Sequence, residues 1–176
     1  FRKRAINGIN IPYIVHPMNV MNMVWEWGLG QPTILMAAIL HDVLEDTKCT
    51  EKEMEDAVGK TVTGIVKELT FKPDFYGDKK QLKAEYLASF EKSSIEALVV
   101  KLADRISNSY DWMITDPEYA KTYFHKAKAL FKAWNDRRAE LDREFGEKTM
   151  LDANMNYHDA VTIFGDPFNE KLESCI

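Results

Sequence analysis

Ile34-Leu35-Met36-Ala37-Ala38-Ile39-Leu40-His41-Asp42-Val43-Leu44-Glu45-Asp46 is the stretch on which the fold turns. Ile34 to Leu40 is apolar on every face, so as a helix it has to be buried all round. The pattern carries His41, Asp42, Glu45 and Asp46 in the last turns of that same helix, at i, i+1, i+4 and i+5. At 100° per residue these four span an arc of about 140° on one side of it. Three carboxylates and an imidazole gathered there repel and desolvate one another unless a cation or an opening to solvent compensates.

A second buried helix ends in the same way. Ser94 to Tyr110 has a helical pattern, Leu98-Val99-Val100 and Leu102-Ala103 mark it as largely buried, and its end carries Asp104, Arg105 and Asn108. Upstream, His16-Pro17 opens a segment rich in Met, Val and Trp that runs to Trp27, with Pro17 suited to a first helical turn and Gly28 to a C-terminal cap. One buried His-Asp dipeptide alone is more often a structural hydrogen bond than a ligand pair. A separate Asp on a second buried helix and a His before a proline turn that balance toward a divalent metal. Mixed imidazole and carboxylate sets suit Mn, Fe or Zn without choosing among them.

The rest of the chain also reads as helix, which makes the expected fold all-α. Thr50 and Glu53 match a capping box that starts a helix near Glu51, Gly59 ends it, and Thr61 to Leu69 forms another. Phe71 to Lys80, with Pro73 and Gly77, reads as a loop, followed by helix from Gln81 to Phe90. Asp116-Pro117 caps a single long helix whose apolar positions run from Tyr119 to Leu141, with Gly146 as its stop. Beyond it Gly165-Asp166-Pro167 marks a turn, and the tail shows no strong periodicity.

Composition narrows the function. The 176 residues suffice for one domain with a real core, and 45% hydrophobic with 29% charged residues fits neither a disordered nor a membrane protein. A net charge of −5 argues against a nucleic-acid partner, which needs a broad basic face, but leaves room for a small anion in a local basic pocket. Arg2-Lys3-Arg4 is the only run of three basic residues. Two cysteines, Cys49 and Cys175, without framework spacing, and no signal-peptide pattern, make the cytoplasm the expected compartment. A homo-oligomer is left open.

His16, His41-Asp42 and Asp104 reproduce the H…HD…D pattern of the HD superfamily of metal-dependent phosphohydrolases. Pro12-Tyr13-Ile14-Val15-His16-Pro17, Ala38-Ile39-Leu40-His41-Asp42-Val43-Leu44-Glu45-Asp46-Thr47 and Val100-Lys101-Leu102-Ala103-Asp104-Arg105-Ile106-Ser107-Asn108 resemble the hydrolase domain of the RelA/SpoT family, most of all its single-domain small alarmone hydrolases. The likeness spans roughly Arg2 to Leu141 and leaves no room for a synthetase domain. It implies a helical HD domain over residues 1–145, with 146–176 as a C-terminal extension packed on or flanking it. It also implies one metal ion, manganese in the family, and hydrolysis of the 3′-pyrophosphate of guanosine tetra- or pentaphosphate.

Carried over residue by residue, the resemblance makes His16, His41, Asp42 and Asp104 the metal ligands, and Glu45 and Asp46 the catalytic acidic pair. Asn108 matches an asparagine near the nucleotide sugar, and Lys3 or Arg4 falls where a basic residue stacks on guanine. Tyr110 stands where many members have an arginine, a charge that Lys79 is placed to replace. His158-Asp159 reads as coincidence and His125 as a surface or core histidine. Two other functions compete: a phosphatase of another phosphorylated nucleotide such as NADPH, and a nucleotide-sensing module without turnover.

Overall fold

The computed structural model describes residues 3–6, 9–72 and 77–169, with side chains from Asn10 onward. Within them ten α-helices follow a two-stranded antiparallel hairpin, β1 (Lys3–Ile6) and β2 (Ile9–Pro12), in the register Lys3 to Pro12 and Ile6 to Ile9. The all-helical expectation holds for the body of the chain, and the hairpin is an addition to it. Its sequence signal is Asn7-Gly8, the dipeptide favoured where two strands turn back on each other.

α1 (Val15–Glu26) buries His16, Pro17, Val20 and Val24 along one side, and Gly28 follows with φ +83°. α2 (Pro32–Leu40) packs against it, with Ile34, Ala37 and Ala38 fully covered. The expectation that this helix runs on through Asp46 is corrected. It stops at Leu40, His41 and Asp42 form a turn, and α3 (Val43–Asp46) is a separate single turn. The His41 ring bonds the Ala38 carbonyl at 2.7 Å through Nδ1, competing for the acceptor that the Asp42 amide uses in an unbroken helix.

The Thr50–Glu53 capping box forms in full, opening α4 (Glu51–Leu69), which kinks at Gly59 where φ is +82°. Phe71 and Lys72 follow it outside any regular element, and Pro73 to Tyr76 lie outside the described residues. α5 (Lys79–Ala88) leads through a 3₁₀ turn to α6 (Ile95–Thr115), the central helix, against which α1, α2, α4, α7 and α8 all pack. From Ala97 to Ser107 no α6 side chain is exposed, so Asp104 and Asn108 lie in the middle of a helix rather than at its end.

The single long helix expected after Asp116 is three: α7 (Pro117–His125), α8 (Lys128–Asp136) and α9 (Arg138–Phe145). No Gly or Pro marks either break, so tertiary contacts decide them. Arg137 turns its guanidinium onto the carbonyls of Phe90 and Ser93 at 3.1 and 2.8 Å, and His125 bonds the Phe164 carbonyl at 3.0 Å. The tail is helical too. α10 (Glu147–Phe164) buries Met150, Ala153, Asn154, Tyr157, Ala160 and Phe164 at helical spacing against α7 and α9. Among the described residues no helix is long and apolar enough to cross a membrane.

Trp134 on α8 donates its indole N–H to Asn154 on α10 at 3.0 Å, both buried. Asn154→Ala leaves that N–H unpaired in the core, and a loss of about 1–3 kcal/mol is expected in urea unfolding. An unchanged midpoint would mean that the bond does not tie α10 to the bundle.

Candidate metal centre and active site

α6 presents Asp104, only 4% exposed, to two imidazoles delivered by different elements. His16, in the first turn of α1, places Nε2 at 3.1 Å from Asp104 Oδ1 and Nδ1 at 3.3 Å from Ser107 Oγ. His41 enters from the turn after α2. The two rings meet edge to face, 5.2 Å between centroids. One ligand atom from each of His16, His41 and Asp104 lies within 4.8 Å of the others, all three residues buried. His41 carries the decisive detail. Its Nδ1–H is spent on the Ala38 carbonyl, while Nε2, fully buried, has no hydrogen-bond partner although Asp42 Oδ2 and Asp104 Oδ1 stand 3.2 and 3.6 Å away. A ring fixed at one nitrogen with the other bare and facing carboxylates is how a histidine is held for a metal ion.

The electrostatics agree. Burial alone would lower the His41 pKa, but Asp104 and Asp42 outweigh it and push it up to about 10. Burial would likewise raise Asp104, yet Lys101 first, then His16 and His41, hold it well below the ordinary carboxylate range. Lys101, buried on the preceding turn, bonds Asp104 Oδ2 at 2.9 Å, which leaves Oδ1 turned to the imidazoles. Asp42 is lowered chiefly by His41 against the effect of burial, and accepts the Tyr13 hydroxyl.

Beside this centre opens a cavity of about 550 Å³. Asp42, Glu45 and Asp46 line one part of it, Lys83, Lys101 and Arg105 another, and Trp112, Tyr119 and Tyr123 form an aromatic wall. Glu45 is pinned by the Phe71 amide at 2.9 Å, so the one-turn α3 is anchored to the chain leaving α4.

Residues 3–133 match the HD-domain family. The chain belongs to the HD-domain family. Among relatives of this HD domain, the guanosine-3′,5′-bis(diphosphate) 3′-pyrophosphohydrolase MESH1 of Drosophila melanogaster is 32% identical over 142 residues, 77% of this chain and 78% of that one. Its namesake from Xenopus tropicalis is 37% identical over 127 residues, 69% of this chain and 70% of the relative. Among solved structures, one described as a metazoan ortholog of SpoT that hydrolyses ppGpp superposes with a TM-score of 0.70 at 27% identity, covering 90% of this chain and 86% of the other. The RelA/SpoT-type resemblance read from the motifs is therefore the family to which the HD domain belongs.

Of the residues singled out from sequence, His16, His41 and Asp104 converge, with Asp42 beside them. Glu45 and Asp46 sit on the cavity wall, exposed, on a helix of their own rather than on the arc of one helix. Asn108 also lines the cavity, but its amide bonds Asp104 and stands 3.4 Å from His16 Nε2. Lys79 opens α5 as an exposed residue away from the cavity lining, and one turn later Lys83 reaches the lining instead. The backbone of Lys3 and Arg4 belongs to β1, and their side chains lie outside the described residues. Tyr110 packs edge-on against Phe164, turned toward α10 rather than the cavity. His158 and Asp159 are exposed on α10 and His125 is a structural donor.

Sequence reasoning gave no role in the site to Tyr13, Lys83, Lys101, Arg105 or the aromatic wall. Lys101 and Arg105 had a signal: charged residues in a helix whose apolar pattern buries every face need a partner or a purpose.

A metal bound at His41 Nε2 needs the neutral ring, so Mn²⁺ binding to the metal-free chain at pH 8 is expected to release about one proton, and apparent affinity to rise about tenfold per pH unit from pH 7 to 9. Calorimetric titration in two buffers of different ionisation enthalpy measures this. Because the folded pKa is raised, the stabilisation from His41 in the metal-free chain is complete below about pH 6.5 and is lost as pH rises through about 10. Binding without proton release would show that His41 Nε2 is not where the metal sits.

Proposed function

We propose that this chain is a manganese-dependent hydrolase that removes the 3′-pyrophosphate of guanosine tetra- or pentaphosphate, yielding GDP and pyrophosphate from the tetraphosphate. The observation that carries the reading is the bare, buried Nε2 of His41 between two carboxylates, in a chain whose relatives bear the name of that activity. His16, His41 and Asp104, joined by Asp42, would hold one divalent ion. When bound there, such an ion supplies a nucleophile near neutral pH and neutralises charge on the phosphoryl oxygens.

The chain's own groups do the rest. Glu45, held by the Phe71 amide, and Asp46 face the cavity from α3, where they accept a proton from the attacking water and return one to the departing 3′-oxygen. Asn108 and Lys101 keep Asp104 oriented, Asn108 also standing by for the sugar. The basic residues of β1, Lys3 or Arg4, stack on the guanine, and the positive charge expected of Lys79 comes instead from Lys83, one turn along α5. Residues 1–145 act as the catalytic domain, and 146–176 are its C-terminal extension, of which α10 packs on α7 and α9. A reducing, cytoplasmic setting suits the free thiol of Cys49.

Three outcomes test this. Chelator-stripped protein should lose turnover of guanosine tetraphosphate and regain it with Mn²⁺, and Glu45→Gln should keep its metal content while kcat falls by about 10²-fold or more. Metal loss in Glu45→Gln would move that carboxylate into the coordination shell. Side by side, kcat/KM for guanosine tetraphosphate should exceed that for NADPH. A tenfold advantage for NADPH, or release of orthophosphate from the tetraphosphate, would reject the substrate while leaving the metal hydrolase.

A further inference from the structure

We propose that Lys83 and Arg105 form a subsite for the outer phosphate of a diphosphate whose inner phosphate lies at the His16–His41–Asp104 centre, so that the cavity selects diphosphate over monophosphate esters. This deepens the hydrolase reading above and rests on it. Arg105 is 2% exposed, yet among the described residues no carboxylate pairs with it. Its Nη1 reaches only the Tyr123 carbonyl at 3.4 Å, and its buried Nε has no partner at all. The guanidinium lies 4.0 Å from the Tyr123 ring centroid, and this cation–π contact offsets only part of the cost of burying a charge without a counter-ion. An anion can reach it through the cavity that Arg105 lines.

Lys83 is the second cation left over. It sits at the rim, 5.7 Å over the Phe71 ring, and among the described residues no carboxylate lies within ion-pair distance of it. Loss of solvent at the rim, then the positive charges of Arg105 and Lys101, lower its pKa below the ordinary lysine value, which records how closely the three cations gather. Five carboxylates line the same cavity, Asp42, Glu45, Asp46, Asp104 and Asp111, yet none forms an ion pair with Lys83 or Arg105. Asp104 takes Lys101 at 2.9 Å, Asp42 takes the Tyr13 hydroxyl, and Glu45 takes the Phe71 amide at 2.9 Å. Two positive charges therefore line the cavity beside a candidate metal centre, and neither is held in an ion pair with a carboxylate among the described residues.

Position decides which phosphate they take. Arg105 is the residue after Asp104 and lies four residues from Lys101, so it shares a helix turn with the group that binds Asp104. The second phosphorus of a diphosphate is one P–O–P bridge from the first, and Lys83, Lys101, Asp104 and Arg105 all line the one cavity such a group would occupy. A monophosphate ester seated at the metal centre has no group to send there. The planar fork of arginine suits two phosphoryl oxygens at once, and the rim lysine adds a point charge.

Equilibrium dialysis of the manganese-loaded full chain against labelled inorganic pyrophosphate, and separately against orthophosphate, at fixed free Mn²⁺, reads the subsite without turnover. Pyrophosphate is expected to bind at least about tenfold more tightly than orthophosphate. Lys83→Ala, on the rim where folding is not at stake, should weaken pyrophosphate by about tenfold and orthophosphate by less than about twofold. Arg105→Lys, which keeps the charge but not the fork, should also weaken pyrophosphate selectively. Equal weakening of both anions, or pyrophosphate binding indifferent to Lys83, overturns the subsite, even if the wild type hydrolyses guanosine tetraphosphate. Selective pyrophosphate binding that depends on Lys83, in a protein that turns over no guanosine tetraphosphate, upholds the subsite and removes the hydrolase reading instead.

Discussion

A carboxylate in the middle of a buried helix has to be answered by charge or hydrogen-bond donors brought from elsewhere, and Asp104 sets that demand for the whole bundle. Lys101 answers one oxygen from the preceding turn of α6. The other faces His16 and His41, which only the packing of α1 and α2 onto α6 can bring there. The same contacts that bury Val20, Val24, Ala37, Ala38 and Leu102 thus assemble the candidate ligands. Core and site are one set of contacts, and a shift of either flanking helix would leave charge stranded in the interior.

The break after Leu40 gives the acidic motif its division of labour. In a continuous helix His41, Asp42, Glu45 and Asp46 would share one surface and repel one another. The turn at His41–Asp42 draws the imidazole fully into the interior and leaves Glu45 and Asp46 exposed on α3, at the cavity. Ligation needs a dry, rigid imidazole, whereas proton transfer needs a carboxylate in reach of water and substrate. One two-residue interruption of the helix, at His41 and Asp42, meets both needs.

The second half of the chain shapes the cavity rather than the metal centre. α7 swings back against α6 and brings Tyr119 and Tyr123 over the cavity, with Trp112 and Tyr119 meeting edge to face at 4.7 Å between centroids. α10 holds that arrangement from behind through Phe164, which packs on Phe124 and Tyr110, and through its carbonyl bond to His125. Tyr110 is spent on packing against Phe164, and the positive charge lining the cavity comes from Lys83, Lys101 and Arg105.

Sequence by itself determined what is local. Apolar runs without a polar face forced α2 and α6 into the interior, Pro17 and Gly28 bounded α1, Thr50 and Glu53 capped α4, and the H…HD…D spacing named the three residues that meet. It could not determine where helices break without Gly or Pro, because the turns at His41, Ala127 and Arg137 are made by bonds to partners that are remote or invisible in a one-dimensional pattern. Nor could it show that Lys83 rather than Lys79 reaches the cavity, or that Arg105 lies buried without a counter-ion, since both depend on which face of a helix meets which neighbour. Identity and spacing settle which groups a chain can offer; only the packing of helices distant in sequence decides which of those groups share a space small enough for their charges to matter.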